Sequence, residues 1–155
     1  VSLLIGKDKL SENTANIAFA GFTAPKLLWM KVNEPENFKR ISKIMLPKDY
    51  INYKLTGVHA CDYSDASGML LLDVKNKCWS EEMLKVCSIT KEQMPELFES
   101  YDVIGSVKND IANELGINTA NVVAGAGSVK SSAGTYTAST AVIEPFFVDV
   151  IRSCI

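Results

Sequence analysis

Apolar and polar positions divide the chain into short helical and extended pieces separated by turn residues. After Pro25, the residues Leu27, Leu28, Met30 and Val32 form an apolar stripe with Lys26 and Lys31 outside it, which predicts a helix with the proline in its first turn. Asn33 precedes Glu36 at capping-box spacing with Pro35 in the first helical turn, so a second short helix is expected, with Phe38 and Ile41 facing its core. Lys7 to Asn16 has helical composition with weak periodicity. Ile44-Met45-Leu46 reads as a buried strand or a helix entry, and beyond Pro47 the residues Tyr50, Ile51, Tyr53 and Leu55 recur at helical spacing up to a stop at Gly57.

The run from Cys61 to Gly68 is rich in residues that hydrogen-bond their own backbone, and it predicts a turn feeding a strand from Met69 to Leu72. Ser80 is placed to cap a helix over Glu81 to Val86, whose first-turn acids suit the helix dipole. Thr90 and Gln93 form a further capping box, closed by Pro95. Tyr101 to Val107 predicts a strand and Asn109 to Leu115 a helix stopped by Gly116. Asn121 to Ala124 predicts a strand entering the turn Gly125-Ala126-Gly127. Alternating helices and strands give an α/β class.

Composition narrows the function. The 155 residues are 47% hydrophobic and 22% charged with a net charge of −2, a single domain's worth of chain. No basic block marks a nucleic-acid surface, and no apolar run approaches the roughly 20 residues of a membrane helix. The start, Val1 to Gly6, lacks the features of a signal peptide. Cys61, Cys78, Cys87 and Cys154 form no Cys-x-x-Cys pair and His59 is the single histidine, so no metal site and reduced, mostly buried thiols in a cytoplasmic protein are expected.

The glycine-rich stretch from Gly125 to Ser132 fails as a phosphate loop because Val129 stands where glycine must precede Lys-Ser. It fails as a dinucleotide loop because Lys130 replaces the third glycine. It reads as a glycine turn after a strand. Asp62, Asp65 and Asp73 read as a solvated corner, while Trp29, Tyr50, Tyr53 and Trp79 read as core or lid packing. His59 reads as an exposed loop residue. The residues alone define no self-sufficient active site and no cofactor site.

Three stretches in order resemble the FGGY carbohydrate kinases, and among them the xylulokinases. The first is Gly21-Phe22-Thr23-Ala24-Pro25-Lys26-Leu27-Leu28-Trp29-Met30 with Asn33-Glu34-Pro35-Glu36, in which Val32 departs from a usually polar position. The second runs from Leu46-Pro47-Lys48-Asp49-Tyr50 through Leu55-Thr56-Gly57 to Asp62-Tyr63-Ser64-Asp65-Ala66-Ser67-Gly68 and Leu70-Leu71-Leu72-Asp73-Val74. The third is Ile104-Gly105 through Leu115-Gly116 to Val122-Val123-Ala124-Gly125-Ala126-Gly127.

The resemblance implies a helix-rich, incomplete α/β domain of the ribonuclease-H-like (actin and hexokinase) superfamily: residues 1–127 as part of a kinase N-terminal domain, and 128–155 as a tail unlike the family. It implies a parent enzyme that uses ATP and magnesium to phosphorylate a hydroxyl of D-xylulose, with an aspartate accepting the hydroxyl proton. That aspartate directly follows the glycine turn, and here the position is Ser128. A serine hydroxyl holds its proton far above neutral pH, so no catalytic residue is expected in this chain and no turnover by it alone. The resemblance also implies a phosphate-binding loop before Val1 and a second domain. The missing remainder of the kinase is therefore the expected partner, and ATP and magnesium are not expected to bind this piece well.

Gly21 and Phe22 are candidate sugar contacts by resemblance, or else only seat the helix at Pro25. Asp49, Asp62 and Asp65 match family positions and read as structural. The tail from Ser128 is expected to derive from a frame change or appended sequence, with Ala133-Gly134-Thr135 a faint echo of the family. The alternatives are a non-catalytic scaffold that self-associates through Val142 to Val150, or a parent acting on gluconate, ribulose or glycerol.

Overall fold

In the computed structural model of the chain, the described residues are 6–18, 20–125, 128–131 and 134–137. The elements are α1 Lys7–Thr14, α2 Thr23–Asn33, α3 Pro35–Lys39, α4 Pro47–Thr56, β1 Ala60–Asp62, α5 Tyr63–Ser67, β2 Leu72–Asp73, β3 Cys78–Trp79, α6 Glu81–Cys87, a 3-10 turn Lys91–Gln93, β4 Glu96–Phe98, β5 Val103–Ser106, α7 Asn109–Leu115, β6 Asn121–Val123, β7 Ser128–Ser131 and β8 Gly134–Thr137. They form two compact units. The first holds the described residues up to Ile44 together with Asp65–Met94, and the second holds Met45–Ser64 and the described residues from Pro95 onward. None of the described helices is long and apolar enough to cross a membrane.

In the first unit, α2 and α6 pack together through small and apolar side chains. Ala24 and Leu27 are buried on α2 and Met83, Leu84 and Cys87 on α6, and the Cys87 thiol donates to the Ala24 carbonyl at 3.9 Å. Three-residue spacing of Ala24, Leu27 and Met30 sets the buried face of α2. Trp29 and Val32 fall off that face and are 55% and 78% exposed, so Val32 leaves the predicted stripe and Trp29 does not pack in the core. The expected Asn33 cap is also displaced. Asn33 ends α2 and donates its amide to the Trp29 carbonyl at 2.8 Å, α3 starts from Glu34 with Pro35 at its first position, and Glu36 pairs with Lys39 instead.

The strand expected from Met69 is cut short because Leu70 takes a left-handed backbone (φ 58°) that cannot continue a ladder. Only Leu72–Asp73 pairs, antiparallel, with Cys78–Trp79 across the turn that Asp73 closes by accepting from the Asn76 N–H at 2.9 Å. Those bonds to its charged form hold the Asp73 carboxyl below the usual aspartate range. Ser80 caps α6 as expected, accepting from the Met83 N–H at 3.4 Å. Ser80→Ala is expected to cost about 1 kcal/mol, read as a lower urea midpoint. Gln93 Oε1 accepts from the Thr90 N–H at 2.8 Å, so the predicted box forms, on a 3-10 turn.

In the second unit, β1 and β4 pair in parallel, Ala60 with Glu96 through Asp62 with Phe98, across a connection of residues 63–95 that carries helices. A parallel pair joined by a helical crossover is the α/β feature the alternation predicts. The β5 and β6 strands pair antiparallel with a register shift between Val103 and Gly105. Ala60, Ile104 and Ala124 are buried together, with Val58, Phe98 and Val122 packed against them. Gly57 ends α4 and Gly116 ends α7 in left-handed conformations, as predicted.

Candidate functional site

The second unit holds a buried charged cluster where sequence reasoning placed a solvated corner. Pro47 at the first position of α4 fixes the helix start, and Asp49 reaches back so that its Oδ2 accepts from the Leu46 N–H at 3.2 Å. This leaves the Lys48 ammonium pointing inward, 18% exposed, at two carboxylates that are 0% exposed: 2.6 Å from Asp62 Oδ1 and 3.0 Å from Asp49 Oδ1. Asp62 is the last residue of β1, so its side chain is set by the strand pairing with β4. Its second oxygen accepts from Ser100 Oγ at 2.8 Å.

The cluster then reaches the chain at Val123, Ala124 and Gly125. Lys48 Nζ donates to the Ala124 carbonyl at 2.6 Å. Asn52, one helical turn on, donates to the Val123 and Ala124 carbonyls at 3.3 and 3.4 Å. The Ala124 and Gly125 N–H groups donate to the Asp102 and Ser100 carbonyls, each at 2.9 Å.

Burial sets the protonation states. For Lys48, burial would lower the pKa, but the Asp49 charge and the hydrogen bond to Asp62 outweigh it and hold the amine above the ordinary lysine value. Burial pushes the Asp49 carboxyl up against the opposing Lys48 charge. Although Asp49 Oδ1 lies 3.0 Å from the ammonium, it makes no hydrogen bond of good geometry, so charge alone holds it. Burial with the Asp49 charge also pushes the Cys61 thiol up, and burial pushes Cys87 up to about 11, so both are protonated thiols and not nucleophiles.

Because the native Asp49 carboxyl titrates above its unfolded value, the folded chain binds more protons than the unfolded chain between the two values. Its contribution to stability therefore falls as pH rises through that window. Relative to Asp49→Asn, the wild-type chain is expected to lose stability as pH is raised from about 4, the unfolded aspartate value, read by urea denaturation across pH.

The described carboxylates do not fit a magnesium ion. Asp49 and Asp62 already hold the Lys48 ammonium, and among the described residues no group of three His, Cys, Asp or Glu could ligate a metal. Gly21 and Phe22 lie in the first unit. Gly21 is exposed at the turn before α2, with open space where a side chain would project, and Phe22 is the residue from which α2 starts. Asp65 is half-buried in α5, and His59 is half-buried rather than exposed, its carbonyl accepting from the Glu96 N–H at the start of β4. Position 128 begins β7. Gly127, Cys154 and the apolar run from Val142 lie outside the described residues.

Sequence reasoning missed Lys48, Asn52 and Ser100. The available signal was an aspartate directly after the apolar pair Ala60-Cys61, together with Lys-Asp directly after a helix-starting Leu-Pro.

Comparison with known proteins places these elements. Residues 2–134 match the N-terminal domain of the FGGY family of carbohydrate kinases, a span that runs past the glycine turn. The chain is 46% identical over 114 residues to a xylulose kinase of Escherichia coli and 49% identical over 118 residues to one of Lactococcus lactis, covering 74% and 76% of this chain. It spans about a quarter of the length of these curated relatives, 24% of each. The crystal structure of a xyloylose kinase from Brucella ovis superposes with a TM-score of 0.77 at 38% identity, covering 82% of this chain and 26% of that one. The parallel β1–β4 pair with its helical crossover is thus a fragment of the α/β architecture of these sugar kinases, and the chain belongs to the FGGY family of carbohydrate kinases, matching its N-terminal domain.

Proposed function

We propose that the chain supplies part of the N-terminal domain of an ATP-dependent kinase that phosphorylates a hydroxyl of D-xylulose. The observation that carries this reading is the identity of 46% and 49% to relatives named xylulose kinase over most of the chain. The buried network supports it from within. It fixes the backbone up to Gly125, and the family resemblance puts the proton-accepting aspartate three residues further on.

Ser128 occupies that position, and its hydroxyl lacks the acidity to act as a carboxylate base. We therefore infer that the chain as given does not turn over sugar, with ATP and D-xylulose as substrates of a parent enzyme. A coupled assay of ADP release with D-xylulose is expected to show no rate above background. Clear turnover would overturn the role assigned to Ser128.

The sugar preference is tested separately. Residues 7–125 exchanged into the corresponding part of the Lactococcus lactis xylulose kinase are expected to leave D-xylulose the preferred substrate. A folded chimera that prefers a different sugar would sink the xylulose reading.

A further inference from the structure

We propose that Lys48 is a positioning residue: its ammonium fixes the Ala124 carbonyl, and with it the course of the backbone up to Gly125, three residues before position 128. In the functional sense this rests on the kinase reading above, but the positioning itself is a property of this chain.

Three observations carry it. First, the ammonium gathers groups from separate elements. It arises in the first turn of α4 and bonds Asp62 at the end of β1 and the carbonyl just beyond β6, each at 2.6 Å. The Ser100 hydroxyl that follows β4 closes the network onto Asp62 at 2.8 Å. Second, the backbone it holds has no slack. The Val123 and Ala124 carbonyls accept from Asn52, and the Ala124 and Gly125 N–H groups donate to Asp102 and Ser100, so every polar group from the Val123 carbonyl to the Gly125 N–H is engaged. Third, stability alone is a poor reason for this arrangement. Taking an ammonium and two carboxylates out of water is expensive, and apolar replacements of such pairs are often neutral or stabilising. What an apolar side chain cannot do is donate to the Ala124 carbonyl, which makes that bond the distinguishing property of lysine at this position.

The test uses the full chain labelled for NMR. Lys48→Met keeps the aliphatic stem and removes the donor. It is expected to shift the Ala124 carbonyl carbon resonance and to speed exchange of the Gly125 amide at least tenfold, with Lys48→Arg restoring the carbonyl resonance towards wild type.

Because Lys48→Met alone leaves two buried carboxylates without the Lys48 charge and can unfold the chain, the paired variant Lys48→Met with Asp62→Leu is measured alongside. It is expected to recover global stability while Gly125 exchange stays at least tenfold fast. The proposal is overturned if the paired variant restores Gly125 exchange to within twofold of wild type, since the lysine would then only balance charge. It is equally overturned if Lys48→Met leaves the Ala124 resonance in place. Neither readout involves sugar or ATP, so a failed chimera leaves the positioning result standing, and a failed exchange experiment leaves the kinase reading standing.

Discussion

Asp62→Ala is expected to destabilise the chain by about 3–5 kcal/mol, because it removes the carboxylate 2.6 Å from the largely buried Lys48 ammonium and leaves the Ser100 hydroxyl without its acceptor. Against a typical domain stability of about 5–15 kcal/mol, that loss removes a large share of the folded population. Urea denaturation followed by far-UV circular dichroism reads it directly. The paired variant with Lys48→Met is expected to recover at least half of the loss, since the uncompensated charge leaves with the lysine. A cost for Asp62→Ala below about 1 kcal/mol, the value of an exposed ion pair, would mean that water reaches the cluster.

Gly125→Ala is the second large effect, and its cause is steric. A methyl group there would come within 2.7 Å of Ser100 Cα and 2.8 Å of the Ser100 carbonyl oxygen, and closer still to Ser100 Cβ. Two of these three atoms are backbone, so no rotamer change relieves the clash. The chain must give up the Gly125 N–H bond to the Ser100 carbonyl, and the expected cost is about 3 kcal/mol or more. Ser100→Gly in the same chain removes the Cβ but not the backbone contacts, so it is expected to rescue only part of the loss. Full rescue would place the conflict in the side chain alone.

Much of the fold was legible because local chemistry and packing agree in it. Ser80 caps α6, Gly57 and Gly116 stop α4 and α7, and Pro47 opens α4, each through a backbone requirement that a residue type announces. Where the reading failed, a longer-range fact decided. Trp29 and Val32 extend an apolar run, but the packing of Ala24 and Leu27 chooses the other face of α2. Leu70 belongs by composition to a strand and is turned out of it by a left-handed backbone.

The charged cluster was the least legible part. The turn-like run from Cys61 assigns Asp62 to a solvated corner, and nothing in the local pattern singles out Lys48; only the β1–β4 pairing brings Asp62, Ser100 and the Ala124 carbonyl to one place. The family resemblance supplied the likeness of Asp49 and Asp62 to family positions without their chemistry. It pointed to Ser128 as the departure that matters for turnover.

The same pairing governs the order in which a ribosome can complete this cluster. Ser100 emerges 38 residues after Asp62, and Ala124 follows Lys48 by 76. At synthesis rates of about 5–20 residues per second, Lys48 waits on the order of 4–15 s for its last acceptor. For the earlier part of that interval, until β4 emerges, the nascent chain carries an unpaired β1, a window in which a chaperone or a neighbouring chain can engage the strand before β4 does.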